Sequence, residues 1–211
     1  MQLIGMLDSP YVRRVAIALH YYNLAFEHQS LSVFRNVDEF SKINPLIKAP
    51  TLVCDNGEVL MDSTLILAYL QKLVGSKLSL MPESIEDYQK ALRLIGLGLN
   101  ACDKSVQIYY ERDMRPKDRQ HQPWLTRVAS QLKTAYELIE AHVQSANGWL
   151  IEDRLTHADI AVCVAWQFTH HMIPGVIQLN HYPSLSQLSL QAEAARAFMQ
   201  FPLAPGWQAQ A

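Results

Sequence analysis

Hydrophobic and polar positions change their period about two-fifths of the way along the chain. Up to roughly residue 80, short apolar runs alternate with helical patterns, and beyond it only the helical period remains. Residues 3–7 form an apolar run too short for a helix, stopped by Asp8-Ser9-Pro10, which predicts a buried strand. Ser9-Pro10 then opens a helix. Serine caps well, and proline suits the first position because its missing N–H would have no partner there. Val12, Val15, Ala16 and Leu19 give this helix an apolar face. Residues 25–31 alternate as a second strand, and polar residues 36–44 suggest a short or irregular helix. Residues 49–54 and 58–61 read as strands joined at Asp55-Asn56-Gly57, a hairpin signal. Asp62-Ser63 starts a helix expected to bury Leu65, Ile66, Tyr69, Leu70 and Leu73. The order is βαβ, a short helix, then ββα.

Long helical patterns follow over roughly 84–115, 123–146, 156–173 and 184–199, broken at Pro116, Asn147-Gly148 and Pro174-Gly175. The expected organisation is a small α/β domain over 1–75, a linker over 76–83 and an all-helical domain over 84–211. There is no internal repeat.

Composition supports a packed core, since 49% of the 211 residues are hydrophobic and 18% charged. The net charge is −2, and neither half is strongly basic: residues 1–80 carry seven charges of each sign. That balance argues against nucleic acid or an anionic membrane as a partner. Cys54, Cys102 and Cys163 are far apart, with no zinc or disulfide spacing, which favours a reducing cytoplasm. The N-terminus lacks the basic region of a signal peptide, and no apolar run is long enough to span a membrane.

Four short segments could carry chemistry. Ser9 at a helix start lies among amides without carbonyl partners, at the positive end of the helix dipole, a place that favours an anion such as a thiolate. Taken alone, a Ser-Pro pair is more often just a cap. Ala49-Pro50 puts a proline at the start of a strand, where a cis bond would turn the preceding backbone toward a ligand; an ordinary trans proline is the commoner case. Asp62-Ser63 offers a second helix start able to receive a carboxylate. Thr156 and Asp159 form a capping box, with Leu155 and Ile160 as its hydrophobic staple, a structural signal.

Together, Ser-Pro-Tyr-Val-Arg-Arg-Val at 9–15, Asn-Pro-Leu-Ile-Lys-Ala-Pro-Thr-Leu at 44–52, Asp-Ser at 62–63 and the box at 156–159 resemble the glutathione transferase family over essentially the whole chain. The resemblance implies a thioredoxin-like N-terminal domain, a helical-bundle C-terminal domain and a homodimer. It implies that Pro50 is cis, that Ala49 offers its backbone to the cysteinyl part of glutathione, and that Asp62 and Ser63 hold the γ-glutamyl end. Lys48 would approach the tripeptide's other side. Ser9 would donate a hydrogen bond to the glutathione sulfur and favour its thiolate, as in serine-type members. A cysteine at that position would instead favour thiol transfer. The short Ser-Pro-Tyr-Val-Arg form resembles bacterial members, and the Ser-Ser-Cys pattern of the maleylacetoacetate isomerase branch is absent.

Two positions depart from the family pattern. Gly is common where Ile47 stands, and Val or Ile where Ala49 stands. A β-branched residue resists positive φ, so the loop before Pro50 is where a difference is expected, with weaker glutathione binding as its consequence. The second substrate is expected between the domains, with Tyr109, Tyr110, Arg112 and Arg115 as candidates and Trp166 and Met172 behind them, although aromatics at helical spacing are more often core. Adjacent His170 and His171 point about 100° apart on a helix and argue against a metal site. No Gly-x-Ser-x-Gly elbow makes Ser9 a hydrolase nucleophile. The expected activity is conjugation or reduction of small electrophiles or peroxides with glutathione as co-substrate. The alternative is a non-catalytic protein that keeps this fold as an interaction module.

Overall fold

Four short strands, β1 (Gln2–Ile4), β2 (Glu27–Gln29), β3 (Thr51–Val53) and β4 (Val59–Met61), form one sheet in the order β2-β1-β3-β4. The computed structural model describes residues 1–203. β1 pairs parallel with β2, as the intervening helix α1 (Pro10–Tyr21) requires, and antiparallel with β3. β3 and β4 form the expected hairpin, with Leu52 opposite Leu60. Leu3, Ile4 and Leu52 are fully buried in the middle of the sheet. The short helix α2 (Val37–Ile43) anchors itself through buried Phe40, and α3 (Ser63–Val74) follows β4 directly.

Three details differ from the sequence expectation. β1 ends at Ile4 rather than at residue 7, because Gly5 takes φ +135° and turns the chain. α3 buries Ile66, Leu67 and Leu70, whereas Leu65 and Leu73 are 66% and 51% exposed. Residues 65–70 are apolar all round, so periodicity could not select the inward face. The third concerns the boundary. The segment to Leu80 stays with the sheet: Leu80 is buried, and its N–H donates to the Gln71 side chain at 3.3 Å. Gln71 also accepts from the Tyr22 hydroxyl and donates to the Gly75 carbonyl.

The chain divides into two compact units. The first holds Met1–Leu80 and takes back the segment beginning at Ala195; the second is Met81–Ala194. The pattern read as one helix over 184–199 is therefore two, α7 (Pro183–Ala194) and α8 (Arg196–Gln200), separated where Ala195 adopts an extended ψ of 140°. α8 packs on α1, where Arg13 is fully buried. Arg13 Nε donates to the Phe201 carbonyl at 2.8 Å, and its guanidinium lies 5.4 Å from the centre of the Phe198 ring. Phe201 in turn meets the rings of His20 and Phe26.

In the second unit, α4 (Ile85–Tyr109) and α5 (Gln122–Val143) pack with α6 (His157–Met172), which is buried along nearly its whole length. The expected capping signal starts α6. Fully buried Asp159 accepts from the Thr156 N–H at 2.8 Å and the Thr156 hydroxyl at 2.6 Å, and also from the Leu150 N–H at 2.8 Å. A second carboxylate caps from outside its own helix: Glu140 of α5 accepts the Ser184 and Leu185 N–H groups at the start of α7. Close approach of α4 to α6 depends on Gly98, whose added Cβ would lie 2.9 Å from the carbonyl carbon and oxygen of Ala161. Gly98→Ala is expected to cost about 1–2 kcal/mol, overpacking outweighing the helix-propensity gain. A urea midpoint equal to or above the native one would contradict this reading. Among the described residues, no helix is long and apolar enough to cross a membrane.

Candidate functional site

The turn after β1 brings the first two candidate segments together. A Cβ on Gly5 would lie 2.6 Å from Val12 Cγ2 and 3.1 Å from Ala49 Cβ, so only a bare backbone lets the first turn of α1 and the Ala49 loop close on the end of β1. Gly5 is fixed there by its N–H donating to the Gln29 carbonyl and by His28 Nε2 meeting its own carbonyl at 2.7 Å.

Ser9 is the N-cap of α1 in extended backbone, φ −71° and ψ 121°. Its N–H donates to the Met6 carbonyl, and its carbonyl accepts from Arg13. The side chain accepts from the Val12 N–H at 3.5 Å, the outer limit of a hydrogen bond, so the cap leaves the hydroxyl weakly engaged at the positive end of the helix.

The Ala49-Pro50 bond is cis, as the family resemblance implied. Ile47 adopts φ +49°, so the left-handed backbone expected to exclude a β-branched residue is present with one. The reason lies in Asn44. Buried Asn44 accepts the Leu46 N–H on its side-chain oxygen and the Ile47 N–H on its carbonyl, and its amide donates to the Thr51 hydroxyl at 2.8 Å. The Thr51 hydroxyl in turn donates to the Lys48 carbonyl at 2.7 Å. These bonds hold residues 44–51 in one shape against the local preference of Ile47. The Lys48 side chain is exposed and takes no part in them.

Asp62 is the N-cap of α3 at φ +69°, with one carboxylate oxygen accepting the Thr64 N–H at 2.8 Å and the Leu65 N–H at 3.4 Å. Ser63 is buried and accepts a hydrogen bond at 3.2 Å from Arg14 of α1; the same Arg14 nitrogen donates to the Thr64 hydroxyl at 3.3 Å. α1 thus carries Ser9 at its start and, five residues later, a guanidinium bound to the start of α3.

In the second unit, the aromatic candidates separate. Trp166 is buried edge-on to Tyr136 and Tyr182, with ring centres 5.0 and 5.6 Å away, and Tyr109 is buried too, whereas Tyr110 is 45% exposed. α4 ends in a π-helical turn, Tyr110–Met114, beside an open hollow of about 340 Å³ lined by Glu111, Arg115, His121 and Trp124. Glu111 accepts the His121 N–H at 2.7 Å and Arg115 Nε at 2.9 Å, and the His121 amide, with Arg115, holds its carboxyl below the ordinary value. Arg115 is the one sequence candidate on that hollow. Among the described residues, no group of three His, Cys, Asp or Glu side chains is arranged to hold a metal ion.

Family models place this geometry. Residues 3–77 match the glutathione S-transferase N-terminal domain, and residues 102–196 match the C-terminal domain. The chain belongs to the glutathione S-transferase family. Its fold is the family's thioredoxin-like domain with a four-stranded mixed sheet, followed by the helical domain. A glutathione S-transferase of Methylobacterium radiotolerans, solved with glutathione sulfonate, is 27% identical, with a TM-score of 0.89, covering 100% of this chain and 98% of that one. A glutathione transferase family member of Pseudomonas fluorescens Pf-5, solved with glutathione, is 25% identical, with a TM-score of 0.80 over 95% and 97% of the two chains. The uncharacterized GST-like protein YibF of Escherichia coli K12 is 25% identical over 165 residues, 78% of this chain and 80% of that protein.

Within this family member, sequence reading missed the residues that build the site without entering it: Gly5, Arg14, Asn44 and Gln71. Only Asn44 and Arg14 lay inside motifs already singled out. Arg14 and Ser63 are 49 residues apart, as are Gln71 and Tyr22, and no local spacing reveals such pairs.

Proposed function

We propose that this transferase binds glutathione along its first unit and activates the thiol at Ser9 for attack on small electrophiles or reduction of peroxides. The observation that carries the reading is the weakly engaged Ser9 hydroxyl at the start of α1, packed through Gly5 against the cis Ala49-Pro50 loop. The glutathione bound in the Pseudomonas relative, and the glutathione sulfonate in that of Methylobacterium, support it.

In this reading, Ala49 offers its backbone to the cysteinyl part, Asp62 and Ser63 receive the γ-glutamyl end, and Lys48 meets the other side. Pro50 turns the loop. Ser9 donates to the sulfur, and the helix end stabilises the thiolate, each unit of pKa lowering corresponding to about 1.4 kcal/mol. The thiolate then forms a sulfur–carbon bond with the electrophile as the leaving group departs with its electron pair. With a peroxide, two glutathiones are oxidised to the disulfide while the peroxide becomes alcohol and water. The cellular setting we assign is a bacterial cytoplasm, and the assembly a homodimer. Exposed apolar residues on β4 and α3 (Val59, Met61, Leu65), and on α4 (Ile85, Tyr88, Leu92), support that assembly. The alternative of a non-catalytic interaction module draws on Ile47 and Ala49, and the left-handed backbone at Ile47 weakens the first of these grounds.

Calorimetric titration of wild type and Ser9→Ala with glutathione tests the reading. Wild type is expected to bind at millimolar concentration or below and to release a thiol proton. Ser9→Ala is expected to bind nearly as well, release less proton at neutral pH, and turn over a model electrophile about tenfold to a hundredfold more slowly. Absence of binding heat in both proteins would remove the enzyme reading.

A further inference from the structure

Arg14 stands out among the buried charges of the first unit because of what it does to two hydroxyls. A guanidinium can only donate. Ser63 and Thr64 therefore present lone pairs to Arg14, at 3.2 and 3.3 Å, and keep their own protons for another acceptor. Ser63 is only 4% exposed, and none of the described residues takes its hydroxyl proton. A buried hydroxyl that has accepted from a cation is polarised, and its unspent proton is matched to an anionic acceptor. That proton sits at the first residue of a twelve-residue helix, where the N–H groups and the dipole favour negative charge. The neighbouring Asp62 uses one carboxylate oxygen for its cap, which leaves the other for a cation. The start of α3 thus has complementary groups for the two ends of an amino acid.

We propose that Arg14 is a positioning residue for carboxylate recognition: it commits the Ser63 and Thr64 hydroxyls as donors and places a guanidinium charge behind them. The inference rests on the glutathione reading, in which the carboxylate is the α-carboxylate of the γ-glutamyl residue. Arg14 acts through the hydroxyls and touches no ligand. Because α1 also carries Ser9, the same helix sets both the thiol end and the γ-glutamyl end of one ligand. The spacing of five residues between Ser9 and Arg14 fixes the distance between the two functions.

The test uses the full chain and two probes: glutathione, and glutathione whose γ-glutamyl α-carboxylate is converted to the amide. Dissociation constants are measured for wild type, Arg14→Met, Ser63→Ala and the double variant. Glutathione binding is expected to weaken about tenfold in each single variant and no more than about twofold further in the double, because both changes remove one coupled interaction. Binding of the amide is expected to change less than about twofold with Arg14→Met, since the charge it lacks is the one Arg14 serves. Equal losses for both probes would mean that Arg14 is only structural and would overturn the proposal, as would fully additive losses. Arg14→Lys serves if the Met variant does not fold. It keeps the charge but not the planar fork, and it is expected to weaken glutathione severalfold while sparing the amide. Wild-type affinity for both probes in that variant would also overturn the proposal. If wild type itself binds no glutathione, the functional reading fails first; if it binds and Arg14 does not discriminate the probes, only this inference fails.

Discussion

Asp159→Ala is expected to destabilise the second unit by about 3–5 kcal/mol, because it leaves three buried donors, the Leu150 and Thr156 N–H groups and the Thr156 hydroxyl, without an acceptor. For a chain of this size, that corresponds to a fall in melting temperature of about 10 °C. Asp159→Asn separates shape from charge. One carboxylate oxygen serves Thr156 and the other serves Leu150, so an amide in either orientation turns its NH2 against a donor, and a loss of about 2–3 kcal/mol is expected to remain. Burial pushes the Asp159 carboxyl above its ordinary value, although the bonds it accepts pull the other way. A folded-state value above the unfolded one means that the unfolded chain releases its proton first as pH rises. The contribution is complete below the ordinary carboxylate range and diminishes as pH passes through the raised value. The stability gap between wild type and Asp159→Asn should therefore be widest in acid and narrow toward neutrality. A gap that grows with pH would show that the three bonds outweigh burial and that the shift runs the other way.

The second large effect is expected at Arg13. Arg13→Ala removes a charge-assisted bond to the Phe201 carbonyl and a cation–π contact with Phe198, and it opens space in a fully buried site. Together these are expected to cost about 3–4 kcal/mol. The loss falls on α1 and therefore on the element that carries Ser9. A chain ended before Ala195 removes α8, with buried Ala197 and Phe198, and is expected to lose at least as much while leaving the helices of Met81–Ala194 intact. Limited proteolysis distinguishes the outcomes: cleavage should become faster within residues 1–80 in both variants. An Arg13→Ala protein within about 1 kcal/mol of wild type, with unchanged cleavage, would show that the closing segment is held by its rings alone.

The contrast between what the sequence discloses and what it hides follows the range of the interactions. Ser9-Pro10, Asp62-Ser63 and Thr156–Asp159 were legible because a cap is completed within three residues. The hairpin at 55–57 and the helical period beyond residue 84 were legible for the same local reason. Arg13 and Arg14 stood in the 9–15 motif without a role of their own, since their partners, Phe201 and Ser63, come from distant segments. Ile47 misled because a single-residue preference was weighed without the buried Asn44 that overrides it. The break at Ala195 has no proline or glycine to announce it. α8 leaves the line of α7 because its apolar residues find α1, a tertiary cause that the helical period does not record.

The return of the segment from Ala195 to α1 has a consequence for biosynthesis. Arg13 and Phe201 lie 188 residues apart, which at about 5–20 residues per second is about 10–40 s of translation. Through that interval α1 waits with a guanidinium facing an uncovered apolar surface, and the sheet it covers cannot reach its final stability. A ribosome that stops early releases a first unit without this closure, open to proteases at the helix that bears Ser9. The closing segment thereby works as a check on translation, admitting to the stable pool only chains made past Phe201.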